Sequence, residues 1–243
     1  MPFLDRGFTS GGGGGNPSID VSALNIGDAA ADRWVVACAV VAFRADGGNP
    51  ASDFASSTIG GASATLLSKN IAAPQQIAFY KALVPSGTTA TVNLTANGDM
   101  WGCFVAVATF DGEPELHAAA YDRTVSSNTW DVNVDAPDGG ALLAVLCEAN
   151  NTVSTWTWTG ATKDFDFTSN PHISCASAAG LSAESGRLVR CVTNSNFNNE
   201  HGLGAITLSL PSDPDPDPQF RPQLFGGKAL VVGGKLFGIE EPA

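Results

Sequence analysis

Two stretches, residues 35–43 (VVACAVVAF) and 141–149 (ALLAVLCEA), are apolar at almost every position for the length of a strand. Side chains on a strand alternate between its faces, so a strand apolar on both must be covered on both. These two runs are therefore read as central strands of packed sheets. Around them lie shorter or alternating runs: SSTIG, ATLLSK, QIAFYKALV, ATVNL and WGCFVAVATF before residue 112, then ELHAAAY, TWDVNV, STWTW, KDFDF, HISCASA, RLVRCV and GAITLSL. GGNP, SGTT, ANGD, APDGG, TSNP and NSNFNN separate them and supply turn chemistry. No segment keeps a 3.6-residue apolar period between a cap and a stop, and only AADRWVV and SAAGLSAES have room for a turn of helix. Strands at roughly ten-residue spacing give an all-β chain, an antiparallel sandwich of jelly-roll type.

Four segments follow. Residues 1–18 are a glycine-rich arm, 19–112 and 113–210 are two β-patterned halves, and 211–243 are a spacer and tail. The halves echo one another, GDAAADRWVVACAVVAFRADG against APDGGALLAVLCEANN, each a turn followed by an apolar strand. Two similar sheets in one sandwich and two small sandwiches in tandem both fit. A single sandwich is the expectation, because nothing between Asp111 and Thr124 has a linker's composition.

Charge narrows the partners. With 12 Lys and Arg against 24 Asp and Glu, the net charge of -12 opposes a phosphate backbone and an anionic lipid surface, so neither nucleic acid nor membrane is expected. The longest apolar run, residues 34–43, is about half of what a bilayer helix requires. MPFLDRGFTSGGGGG has no basic region followed by an apolar core, so a secretory signal is not expected. Cys38, Cys103, Cys147, Cys175 and Cys191 include no CxxC pair and sit mostly in apolar runs, which reads as buried free thiols in a chain made in the cytoplasm.

The succession GDAAADRWVVACAV, STIGGASATLL, IAFYKALVPSGTTATVNLTANGDMWGCFVAVATFDG, PDGGALLAVLCEANNTVSTWTWTGATKDFDF and a closing GAITLSL resembles β-sandwich proteins of the structural gene clusters of tailed bacteriophages and prophages. The similarity spans about residues 20–210 and rests on order and turn pattern. It implies a virion component, of tail-fibre, tail-tip or head-decoration type, with no catalytic residues to carry over. Implied partners are other virion subunits and copies of the chain itself, a trimer by preference, with host-surface glycan as a further ligand class.

The tail carries the sharpest site expectation. PDPDPDP favours polyproline II, a stiff spacer of roughly 20 Å at about 3.1 Å per residue. Asp213, Asp215 and Asp217 in it lack the glycine turn of a calcium loop and read as solvated. Beyond it LFGGKAL and VVGGKLF nearly repeat, bringing Leu224, Phe225, Leu230, Val231, Val232, Leu236, Phe237 and Ile239. Burying these side chains does not outweigh the entropy of ordering the segment alone, so it is expected to dock on another subunit by strand addition. Phe3, Leu4 and Phe8, tethered by Gly11–Gly15, form a second candidate anchor, with a frayed terminus as the equal alternative.

In STWTWTG, alternation places Trp156 and Trp158 on one face. If wet, that face is a platform for sugar rings, with Trp130, Asp164 and Asp166 as further glycan-binding candidates, though a polar outer face accounts for the aspartates equally; if dry, it is core or inter-subunit packing, the preferred reading. For catalysis the sequence offers no HExxH, no GxxxxGK[ST] and no GxSxG. His117, His172 and His201 are too scattered for a ligand set by spacing. A carboxylate pair for glycoside cleavage is defined by distance in space, not by sequence. The expectation is a non-enzymatic protein without cofactor or metal.

Overall fold

The computed structural model describes residues 3–10, 16–43, 54–70, 75–123, 128–148, 155–168, 172–194, 201–211, 229–232 and 235–238. Among them there are strands and turns but no helix, the all-β antiparallel architecture expected. The chain divides into two compact units, Met1–Leu210 and Pro211–Ala243.

In the first unit, strands β1 (Asp5–Ser10), β2 (Asn16–Asn25), β3 (Arg33–Phe43), β4 (Phe54–Ile59), β5 (Ala62–Ser63), β6 (Thr65–Asn70), β7 (Gln75–Leu83) and β8 (Thr89–Asp111) come from the first half. β8 is a single strand of 23 residues serving two layers. Over Thr89–Ala96 it pairs with β2 and β4, and over Met100–Asp111 with β1 and β3. The ANGD sequence read as a turn is the place where the strand crosses between layers. One layer runs β1-β8-β3-β7-β6, the other β2-β8-β4-β5.

The second half supplies β9 (Glu115–Asp122), β10 (Thr129–Ala136), β11 (Ala141–Glu148), β12 (Trp156–Thr159), β13 (Thr162–Phe167), β14 (His172–Ala179), β15 (Glu184–Thr193) and β16 (His201–Ser209). They form sheets β13-β14-β11-β16-β9 and β10-β15-β12. Each of these pairings has a counterpart in the first half once β15 and β16 are matched to the two parts of β8 and β5 is set aside. Even isolated turn bonds recur: Arg33 N to Ala30 O matches Gly140 N to Pro137 O, and Val84 N to Arg33 O matches Leu181 N to Gly140 O. With strands numbered one to eight within each half, the layers run 1-8-3-6-5 and 2-7-4, so each half is a jelly roll whose fifth strand pairs with the sixth.

Within the single compact unit Met1–Leu210, the strands form two sandwiches stacked through a shared core. On β3, Val35, Ala37, Ala39 and Val41 face the interior of the first sandwich, while Val36, Cys38 and Val40 face outward from it. On β11, Leu142, Ala144 and Leu146 face the second interior, while Leu143, Val145 and Cys147 meet the outward face of β3's sheet. The apolar runs are covered on both sides because one face packs within a sandwich and the other between sandwiches. The interface follows a two-fold plan. β1 lies against β13, with Phe3–Phe165 and Phe8–Phe167 ring centroids at 6.0 and 5.6 Å, and their counterparts β9 and β6 meet through Tyr121 Oη donating to Ser68 Oγ at 2.9 Å. Between the sandwiches the chain needs only Gly112–Pro114, fixed by Lys81, which pairs with Glu113 at 2.7 Å and donates to Pro114 O at 2.9 Å.

The N-terminal segment departs from its expected role as an anchor for a neighbour. β1 is laddered to β8, Phe3 is 4% exposed in the shared core, and Phe8 packs against that core. Only Leu4, at 42%, faces solvent. These aromatic rings are already spent on the chain's own packing. In the second unit, β17 (Ala229–Val232) and β18 (Lys235–Gly238) pair antiparallel, Ala229 with Gly238 through Val232 with Lys235.

The shared core makes the two sandwiches one cooperative body. Truncating Leu143 to Ala removes buried volume from it and is expected to cost about 2–5 kcal/mol while leaving a single unfolding transition. Urea unfolding followed by far-UV circular dichroism and tryptophan fluorescence checks this; two separated transitions would mean that the sandwiches fold independently.

Candidate functional site

The tryptophans do not form an exposed platform. Trp130 and Trp158 both stand in register with Cys191, one on either side of β15, and Trp156 is in register with Thr193. All three tryptophans contribute to the interior of the second sandwich: Trp130 is fully buried, Trp156 is 3% exposed, and Trp158 is half-buried. The dry-face reading of STWTWTG is the one realised. Trp158 Nε1 donates to Ser174 Oγ at 2.8 Å, and Ser174 Oγ donates onward to Asp166 Oδ1 at 2.7 Å. Asp166 also receives Lys163 Nζ at 2.8 Å. Asp164 accepts the backbone N–H of Phe3 at 3.3 Å, and burial raises its pKa above the ordinary carboxylate value despite this bond. Both aspartates hold structure together instead of lining an open surface.

The same sandwich contains a cluster that spacing concealed. Glu148, the last residue of β11, is 0% exposed, and neither carboxylate oxygen has a hydrogen-bond partner among the described residues. Its register neighbours are His172 on β14 and His201 on β16, so two of the chain's three histidines stand beside one buried acid. Alternation along β11 puts Glu148 on the face of Leu142, Ala144 and Leu146, toward the tryptophans. Trp156 lies against His172, ring centroids 6.4 Å apart, and both Trp156 Nε1 and His172 Nδ1 are buried without partners among the described residues. From the facing sheet, burial pushes the Cys191 thiol up and the Glu148 carboxylate adds to it.

This environment sets the protonation of the acid. Loss of hydration pushes the Glu148 carboxyl up to about 8, and burial lowers the His172 imidazole below its ordinary value. A carboxylate with empty lone pairs inside an apolar sandwich is costly, so the group takes up a proton or another positive partner. The sequence did carry one signal, for Glu148 is the lone charged residue within ALLAVLCEA. The histidines gave none, because their neighbourhood depends on strand register across more than twenty residues of intervening chain.

No family model matches the chain, and a search of curated proteins finds no relative.

The apolar readings of the cysteines hold throughout. Cys38, Cys103, Cys147, Cys175 and Cys191 are all free and buried, and burial raises every one of their thiol pKa values. The native chain should therefore be silent toward a thiol reagent such as DTNB at pH 8 and release five equivalents on denaturation. Fast reaction of one thiol in the native state would show that its strand opens.

Glu148 also governs a pH response. Between its ordinary value of 4.5 and about 8, the folded state holds a proton that the unfolded state releases. Stability therefore falls as pH rises through that window and levels above it. His172 acts in the opposite sense toward the acid end, so the diagnostic is the difference between the chain and its Glu148→Gln variant. In chelator-treated protein, where a proton alone occupies the acid, the variant should become the more stable of the two as pH approaches 8. The melting midpoint measured from pH 5 to 9 reads this out; parallel curves would place Glu148 in water.

Proposed function

We propose that the chain is a non-enzymatic structural component of a tailed-phage virion or phage-like particle, of tail-tip or fibre type, held in the assembly by its C-terminal segment. The observation that carries this reading is the second unit. This unit, Pro211–Ala243, includes the Asp/Pro stretch and carries its own two-stranded ladder, β17 with β18. A lone two-stranded hairpin is at best marginally stable in water, and its outer edges are suited to receive or extend a neighbouring sheet. Among the candidate docking residues, Leu230, Val231, Val232, Leu236 and Phe237 lie on this ladder, while Leu224, Phe225 and Ile239 fall outside the described residues. With Phe3 and Phe8 committed to the first unit, the docking role falls to the C-terminal segment.

The jelly-roll pair supports the reading more weakly, since that architecture serves viral capsid and lectin domains alike and fold alone does not fix function. The acidic surface agrees with protein contacts over nucleic acid. In this role the paired sandwiches face outward and the hairpin binds a neighbouring subunit in the particle.

Deleting residues 219–243 is expected to leave the first unit folded, with unchanged circular dichroism and melting midpoint, while the truncated protein disappears from purified particles. Incorporation at the full-length level would remove the docking role.

A further inference from the structure

The two sandwiches share one plan, so positions in one can be compared with positions in the other. The matched turn bonds at Arg33 and Gly140 place Glu148 at the position of Val41, and the ladders then place His172 at Gln76 and His201 at Cys103. In the first sandwich Val41 is fully buried, as is Cys103, and Gln76 is almost so. The fold evidently needs no acid and no imidazole at this place. The second sandwich nevertheless puts a carboxylate there, with both oxygens unsatisfied among the described residues, and a histidine in register on either side.

We infer that Glu148, His172 and His201 form a binding site for one divalent transition-metal ion, of zinc type, at the end of the second sandwich. Directly paired residues on neighbouring strands have their Cβ atoms about 4.5–5.5 Å apart, and the register sets Glu148 between His172 and His201 on adjacent strands, a spacing compatible with one ion whose donors bind at about 2.0–2.2 Å. Two imidazoles and a carboxylate suit zinc, copper, nickel or iron rather than calcium or magnesium. Such an ion neutralises the acid and uses the His172 Nδ1 that otherwise lacks a partner. Among the described side chains no acidic, histidine or cysteine groups already stand as a ligand trio. The third donor, His201, is placed by the register of its backbone, and its side chain lies outside the described residues. Trp156 against His172, and the row Trp130, Cys191 and Trp158 across the facing sheet, make the surroundings apolar, which restricts water and strengthens the attraction between ion and carboxylate.

The test uses the full chain, stripped with EDTA, dialysed and titrated with Zn²⁺ by calorimetry and with Co²⁺ by visible absorption. One saturable equivalent per chain, ligand-field bands with Co²⁺ and a raised melting midpoint are expected. His201→Ala and Glu148→Gln should each abolish the bands, whereas His117→Ala should leave them intact. Glu148→Gln keeps the shape of the side chain and removes the buried charge, so it remains folded and informative even where a histidine variant does not. Absence of a saturable step in the stripped chain overturns the site and leaves protonated Glu148 as an isolated buried acid. A step that persists unchanged in Glu148→Gln overturns it equally, locating the binding elsewhere, for instance on the aspartates of the spacer.

Discussion

The structure of the first unit depends on apolar contact between the sheets that contain β3 and β11. Each inner sheet has two faces to dry, and neither sandwich could present such a sheet to water on one side. The residues at the contact are chosen for closeness as well as apolarity. Cys38 and Cys147 stand among branched side chains, and at Gly204 an added Cβ would lie 3.0 Å from Ile77 on the opposing sheet. Strand-bearing layers pack at about 10 Å only when bulk on one face is met by small residues on the other. The outer sheets carry polar pairs on their exposed faces, where Arg190 grips Asp131 with two bonds of 2.6 Å and Asn93 donates to Asp20.

Once two copies of a fold are bound in one chain, each position can diverge while the other copy preserves the plan. The start of the third strand shows this with no functional overtone. Arg33 is buried and its guanidinium donates to the carbonyls of Gly27, Asp28, Val84, Ser86 and Gly87, drawing two loops onto one side chain. Its counterpart Gly140 has no room for a side chain, since a Cβ would sit 2.5 Å from both Leu208 O and a Pro137 ring carbon. One copy fixes its loops with a long donor, the other with a proline turn and close backbone packing. The Val41 and Glu148 pair differs in kind, because the glutamate replaces an apolar contact with a polar group that has no partner among the described residues.

Much of this was legible in the sequence where the information is local. The runs in the second half correspond one for one to β9 through β16, and the likeness of the two apolar strands marks true counterparts. What failed was non-local. Alternation shows that both faces of VVACAVVAF are dry but not what dries them, so one sandwich and two look alike. Nothing local marks NPSIDVSALN as a strand or distinguishes DRGFTS from a free arm beside a glycine run, because their partner β8 lies more than sixty residues away. ANGD carries every mark of a turn, yet the strand runs through it to change layers. Spacing separates His172 from His201, although a sheet aligns residues by register and spacing is no guide to it.

The two-fold plan also limits how the chain can join anything larger. In a pair of identical subunits, an isologous contact uses the same patch twice and closes on itself. Here that closure occurs within one chain: β1 meets β13 as β9 meets β6, and both inner sheets are consumed by one another. A free jelly roll of this kind would have an apolar sheet available for pairing with a second copy, whereas here the described residues of both inner sheets pack against each other. What the described outer faces offer beyond that contact is polar surface and strand edges, the first suited to weak contacts and the second to backbone hydrogen bonding. The ladder of β17 and β18 is the one two-stranded sheet among the described residues, and a sheet of two strands has backbone donors and acceptors on both edges.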